Sequence, residues 1–162
     1  MKQYEAKKIK NIAVLGHGSS GKTTLCDAMI YNCGEIDKIG NVLEGGTVMD
    51  FDGEEKKRCC SVSSAVYSAE YKENKLNIID APGLFDFSAG MSEALTAADA
   101  ALIALSGKSG LNVGSELAYD LAKKENKAVA FLVGKLDSPR AHFYMVISPL
   151  TGKYGSDICP VV

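Results

Sequence analysis

Four short segments of the chain are almost purely apolar: Asn11-Ile12-Ala13-Val14-Leu15, Leu76-Asn77-Ile78-Ile79, Ala101-Leu102-Ile103-Ala104-Leu105 and Ala128-Val129-Ala130-Phe131-Leu132-Val133. Each is bounded by turn or polar residues and is too short to stand alone as a helix. Near-continuous apolar runs of this length predict strands of a parallel sheet covered on both faces. The segments between them carry helical patterns. Residues 22–31 open directly after a glycine-rich loop, and residues 92–98 are rich in helix formers. Residues 113–124 place Leu117, Leu121 and Ala122 on one stripe and end in two lysines, which suit the negative end of a helix dipole.

Residues 61–71 read differently. They are serine-rich and partly alternating, and they meet the run at 75–79 across Lys72-Glu73-Asn74. This predicts an edge strand in a hairpin. Strands alternating with helices, plus one edge hairpin, predict an α/β domain with a doubly wound, mostly parallel sheet. Residues 32–60 show no clear period, and loops of that length inside a domain are usually functional or mobile.

Composition narrows the class without naming a function. The 162 residues suit one domain. A formal net charge of -2 gives no electrostatic footprint for DNA or a membrane surface. No apolar run reaches the roughly 20 residues of a membrane span. Residues 1–10 are polar and basic, without a signal-peptide core, so a cytoplasmic location is expected. The five cysteines are odd in number and match no zinc spacing, so they are read as reduced thiols. The adjacent pair Cys59-Cys60 leaves a redox switch open.

Chemistry enters at Gly16-His17-Gly18-Ser19-Ser20-Gly21-Lys22-Thr23, which fits G-x-x-x-x-G-K-[ST] between a buried strand and a helix. Glycines let the backbone wrap around phosphates, and the loop N–H groups with the helix N-terminus favour negative charge. Lys22 is expected to reach the β- and γ-phosphates as the catalytic cation, and the Thr23 hydroxyl to bind magnesium. The fold expectation thus becomes a P-loop NTPase.

Two further signals follow in order. Asp80-Ala81-Pro82-Gly83 ends a core strand, where an aspartate can hold magnesium through water and the Gly83 N–H can approach a γ-phosphate. Alone, D-x-P-G is a common turn. Gly134-Lys135-Leu136-Asp137 ends another core strand. A carboxylate there accepts from guanine N1–H and the exocyclic amine, which adenine lacks, and the Lys135 stem can cover the base. Alone, that segment also reads as a solvated surface turn.

Over residues 8–144 the chain resembles the N-terminal part of the GTP-binding domain of elongation factor G, a translational GTPase. The resemblance rests on the phosphate loop with His17 and Thr24, and on Lys38-Ile39-Gly40 and Met49-Asp50-Phe51, similar to the family's first switch. It also rests on Asn77-Ile78-Ile79-Asp80-Ala81-Pro82-Gly83 and Asp86-Phe87. It implies GTP or GDP with magnesium, and GTP hydrolysis coupled to the ribosome, with contact to ribosomal RNA. It implies nucleotide contacts by His17, Gly18, Ser19, Ser20, Gly21, Lys22, Thr23, Thr24, Gly83, Lys135, Leu136 and Asp137. Thr23, Ser61 and Asp80 become the expected magnesium ligands, with Ser61 in place of the family's switch threonine.

The departures reduce that expectation. The family's water-orienting histidine is Leu84 here, which can neither donate nor accept a proton, so slow hydrolysis is expected. Ser19 stands for an aspartate, Gly134 for an asparagine, and Cys59-Cys60 for a glycine and an isoleucine. An amide contact is worth roughly 0.5–1.5 kcal/mol, so Gly134 should weaken guanine binding about tenfold. These changes suggest a divergent paralogue. Residues 140–153 are read as a helix before a strand at Pro160-Val161-Val162. The chain is therefore expected to be an N-terminal fragment, 1–162, of the GTP-binding domain. It would lack the final strand, the helix and the guanine-contacting loop, with an uncovered edge that favours self-association.

Other residues read more blandly. His17 is expected to serve loop packing over phosphate contact, and His142 to lie on a helix surface. Glu54-Glu55-Lys56-Lys57-Arg58 reads as a solvated charged segment, with contact to ribosomal RNA as the alternative. Tyr67 and Tyr71 read as packing residues on one strand face. Two functions stay open: a translation-factor GTPase, or a GTP-binding regulatory module at the ribosome in which occupancy rather than turnover carries the signal.

Overall fold

The computed structural model describes residues 2–87, 89–155 and 158–161. The apolar runs become strands β1 (Ile9–Leu15), β3 (Asn74–Asp80), β4 (Ala100–Ser106) and β5 (Ala128–Gly134), joined by β2 (Ala65–Tyr71). They form one sheet in the order β2-β3-β1-β4-β5. Only the β2–β3 pair is antiparallel; β1 pairs in parallel with β3 and β4, and β4 with β5. The helices are α1 (Lys22–Asn32), α2 (Gly53–Arg58), α3 (Ala89–Ala97), α4 (Val113–Lys124) and α5 (Phe143–Tyr154).

Side chains alternate across a strand, so β1 feeds two cores. Val14 packs with Cys26 and Ile30 of α1 and with Ile78. Ala13 and Leu15 face the other way, onto Leu95 of α3, Ala118 of α4, Val146 and Leu150 of α5, and Ile103. Helices therefore cover both faces, as a doubly wound sheet requires. Ile103 is fully buried at the centre, where truncation to alanine would cost about 2–5 kcal/mol.

The strands are less uniformly buried than apolar runs suggest. The outer edge strand β5 has no fully buried residue: α4 packs on one face of it, but no further described strand pairs with its outer edge. The amino-terminal half of β1 is polar, and Asn77 donates its amide to Asn11 Oδ1 at 2.7 Å. The hairpin turns through Lys72 and Glu73, both with positive φ (45° and 65°), the geometry that matches strand twist. Residues 61–64, expected in β2, lie outside it: Ser61 meets Thr23, Val62 and Ser63 donate to Glu55, and Ser64 donates to the Gly90 carbonyl.

Helix α4 coincides with its expected span, α1 runs one residue further, and α3 starts three residues earlier. Helix α5 begins after His142, which is exposed at its N-cap. Pro160 and Val161 form no strand, and Val162 lies outside the described residues. Residues 32–60 are not wholly irregular. They hold a 3-10 turn at Val42–Glu44 and helix α2. The reading of residues 54–58 as a solvated run holds for Glu54, Lys56, Lys57 and Arg58, which are exposed, but is corrected at Glu55: Asp52 caps α2, Glu55 reaches back to the Asp52 N–H, and Glu55 is only 1% exposed. Its carboxylate also accepts from the Val62 and Ser63 N–H groups, which explains why a charge is buried there. Tyr67 packs on the α1-side core, whereas Tyr71 is exposed beneath the Lys72 ammonium.

Candidate functional site

The site lies at the carboxyl ends of β1 and β3, where ligands bind in open α/β sheets. β1 delivers the chain into the glycine loop, and α1 starts at Lys22 as the loop ends. β3 ends on Asp80, and Ala81-Pro82-Gly83 turns back over the loop. That approach is close. A Cβ on Gly83 would collide with Lys22 Nζ and would lie 2.9 Å from both Gly18 N and Gly16 O, so only glycine fits.

Lys22 is 6% exposed, and its ammonium donates to the His17 carbonyl at 3.0 Å. Burial lowers its pKa, and the neighbouring Asp80 charge opposes that fall. Asp80 is 1% exposed, and burial raises it to about 7 despite the Thr23 hydroxyl and the Lys22 charge. Asp50 and Glu55 add to the rise.

Thr23 Oγ1 donates to Asp80 Oδ2 at 2.7 Å, and Ser61 Oγ donates to Asp50 Oδ1 at 2.9 Å. The two hydroxyl oxygens are within hydrogen-bond distance of each other, at 3.2 Å. Asp80 Oδ1 is buried without a partner. An oxygen-only donor set with an orphaned carboxylate oxygen fits a hard cation such as magnesium. Among the described residues no group of three His, Cys, Asp or Glu side chains gathers to hold a metal by itself.

A cavity of about 490 Å3 opens above these groups. Gly18, Ser19, Gly21, Lys22, Thr23, Thr24, Ser61, Gly83, Leu84 and Lys135 line it. Leu84 is 38% exposed, and its Cδ2 lies over Gly18. Lys135, in a left-handed conformation (φ 59°), donates to the Ser19 carbonyl at 2.7 Å.

Residues 7–158 match the model of the elongation factor Tu GTP-binding domain. The chain belongs to this family. Elongation factor G of Gluconobacter oxydans is 35% identical over 90% of this chain and 21% of its own length. The Chlamydia caviae factor of the same name is 31% identical over 98% of this chain and 23% of its own. A crystal structure of a protein from Thermus thermophilus superposes with a TM-score of 0.86 at 35% identity, over 91% of this chain and 22% of that one. The chain thus spans about a fifth of the length of the relatives it matches. This GTP-binding-domain family, and the likeness to elongation factor G, agree with the sequence resemblance. No helix among the described residues is long and apolar enough to cross a membrane.

Not every expected residue of the domain reaches the cavity. His17 and Ser20 belong to the loop but do not line it. The His17 ring packs 5.9 Å from that of Phe85, with its Nδ1 buried and unpartnered near Gly114. Leu136 and Asp137 are exposed in the turn after β5, outside the cavity wall. Sequence reasoning gave no role to Asn41, Val42 and Leu43, which form one wall with Cys59, Cys60 and Gly40, the last quoted in the first-switch resemblance. It gave no role to Asp27 or Glu55, and placed Asp50 only in the first-switch resemblance; all three are buried carboxylates. The spacing Asp52-x-x-Glu55 is a capping-box signal that could have revealed α2 and the turned-in Glu55.

Proposed function

We propose that this domain binds GTP or GDP with magnesium, as the G domain of an elongation factor G-like translation factor acting at the ribosome, and that it hydrolyses GTP slowly. The observation that carries the reading is the meeting of Thr23, Ser61 and Asp80 beneath the phosphate loop, with Asp80 Oδ1 unpartnered. Thr23, Ser61 and Asp80 would hold the cation, which when bound neutralises charge on the phosphate oxygens. The loop from His17 to Thr24 would take the phosphates through its N–H groups, with Lys22 turned from the His17 carbonyl to the β- and γ-oxygens. Gly83 would present its N–H to the terminal phosphate. Asp137 would select guanine, Lys135 would cover the base, and Leu136 would pack beside it. The cytoplasm, contact with ribosomal RNA, and the absence of DNA and membrane partners follow from the same reading.

Leu84 favours a second reading, in which occupancy rather than turnover carries the signal. It sits over Gly18, at the phosphate end of the cavity, and offers no proton donor or acceptor. Multiple-turnover phosphate release with and without ribosomes separates the two. Slow release in both conditions supports the regulatory module, and strong ribosomal stimulation supports the GTPase. ATP binding tighter than GTP binding in competition would contradict both.

A further inference from the structure

Asp27 lies one helical turn after Thr23 on α1 and is fully buried (0% exposed). Its carboxylate is not part of the phosphate site. Oδ2 accepts from the Gly40 N–H at 3.0 Å and Oδ1 from the Val48 N–H at 3.2 Å. One buried charge therefore ties both ends of residues 40–48 to the helix that carries the phosphate loop.

The segment between those ties is closed on itself. The Glu44 and Gly46 N–H groups both donate to the Asn41 carbonyl at 3.1 Å, and Asn41 Oδ1 accepts from Leu43 N at 3.0 Å. At its neck two backbones touch: a Cβ on Gly40 would strike the Gly46 carbonyl and lie 2.6 Å from Thr47 Cα. Such a knuckle keeps its shape by itself, so its position depends on what holds its base. Gly40, Asn41, Val42 and Leu43 are the cavity wall. A second tie follows: Asp50 accepts from Ser61, which touches Thr23. The segment that follows the wall is thus tied to a second residue of α1, four positions before Asp27.

We propose that Asp27 is a positioning residue for the nucleotide: by anchoring both ends of the 40–48 knuckle to α1, it fixes the cavity wall and sets how fast a bound purine nucleoside phosphate leaves. The inference rests on the nucleotide-site reading above. Removing the carboxylate leaves two buried N–H groups without an acceptor, and the knuckle swings out to satisfy them in water. Asparagine keeps one acceptor and turns an N–H2 toward the other donor, so Asp27→Asn releases the knuckle while nearly conserving volume.

The test preloads the 162-residue chain with fluorescent GDP and chases it with unlabelled GDP. Asp27→Asn should release GDP at least about tenfold faster, with its association rate little changed. Gly40→Ala opens the neck while leaving the Asp27 side chain in place and should also speed release; it serves if Asp27→Asn fails to fold. Val146→Ala weakens the core on the opposite face of the sheet and should leave release at the wild-type rate. Wild-type release from both Asp27→Asn and Gly40→Ala overturns the proposal, as does equal acceleration by Val146→Ala. Trypsin cleavage of the nucleotide-free chain at exposed Lys38, beside the knuckle, should be faster in Asp27→Asn than in wild type or Val146→Ala. If wild type holds no GDP, the nucleotide reading itself fails; equal Lys38 cleavage in all three proteins then overturns the anchor separately.

Discussion

Thr23 and Asp80 lie 57 residues apart in the chain, and their side chains meet at 2.7 Å in a buried hydrogen bond. The helix after the first phosphate-loop strand and the end of the neighbouring parallel strand are thereby locked together. Parallel pairing of β1 with β3 brings their carboxyl ends side by side, with Val14 opposite Asp80 in the register, and the loop returns α1 to that end.

Thr23→Ala should separate the two roles of that hydroxyl. Hydrogen bonds to charged groups are worth about 1.5–3 kcal/mol. GDP affinity in magnesium is expected to fall at least about tenfold, with a much smaller fall in EDTA, and Thr23→Ser should restore most of it. Titration calorimetry in the two buffers reads the difference; equal losses in magnesium and in EDTA would remove Thr23 from the cation site.

Asp80 makes the nucleotide-free chain sensitive to pH. The unfolded carboxyl ionises near 3.8 and the folded one near 7. Between those values the folded state holds a proton that the unfolded state has lost, so stability is full below about pH 4 and declines as pH rises to 7. The loss is at most on the order of a few kcal/mol. Calorimetric melting in EDTA should show a lower Tm at pH 8 than at pH 5, and Asp80→Asn should shrink that drop. Magnesium with GDP should recover more Tm at pH 8. An unchanged drop in Asp80→Asn would assign it to other groups.

Leu84→His places a proton-handling group over Gly18. Groups of that kind typically contribute about 10²–10⁴-fold to a rate. Single-turnover GTP hydrolysis on ribosomes is expected to accelerate within that range while GDP affinity stays constant. No acceleration would mean that another residue already orients the water.

At Gly134 an added Cβ meets only the Leu105 carbonyl, at 3.9 Å, so a larger side chain fits. Gly134→Asn supplies the amide that the resemblance to elongation factor G implies there. GDP binding should tighten by about tenfold with ATP binding unaffected; equal gains for both nucleotides would show that the amide does not read guanine.

The frame of the domain was legible because it depends on local signals. Apolar runs marked β1, β3, β4 and β5, the Lys72-Glu73 turn joined the hairpin, and the helical stripe reproduced α4. The phosphate loop and Asp80 were legible because both sit at strand ends, where chemistry is punctuated by glycine and proline. Residues 32–60 were opaque for a physical reason. Their order comes from long-range bonds to buried carboxylates: Asp27 holds Gly40 and Val48, Asp50 holds Ser61, and Glu55 holds Val62 and Ser63. No periodicity records such bonds, and a charged residue in sequence looks solvated until its partners are known. Asp137 shows the converse, since its motif was plain in sequence but the turn that carries it stands clear of the cavity.

We propose that the phosphate loop and Asp80, with Asp137 on the turn just outside the cavity wall, form a magnesium-dependent guanine nucleotide site. Calorimetric titration of the chain with GDP in magnesium, repeated in EDTA and with ATP as competitor, tests it most directly. One GDP bound per chain, weakened by EDTA and not displaced by equimolar ATP, is the expected result. GDP binding unaffected by EDTA, or ATP displacing GDP on equal terms, would contradict it.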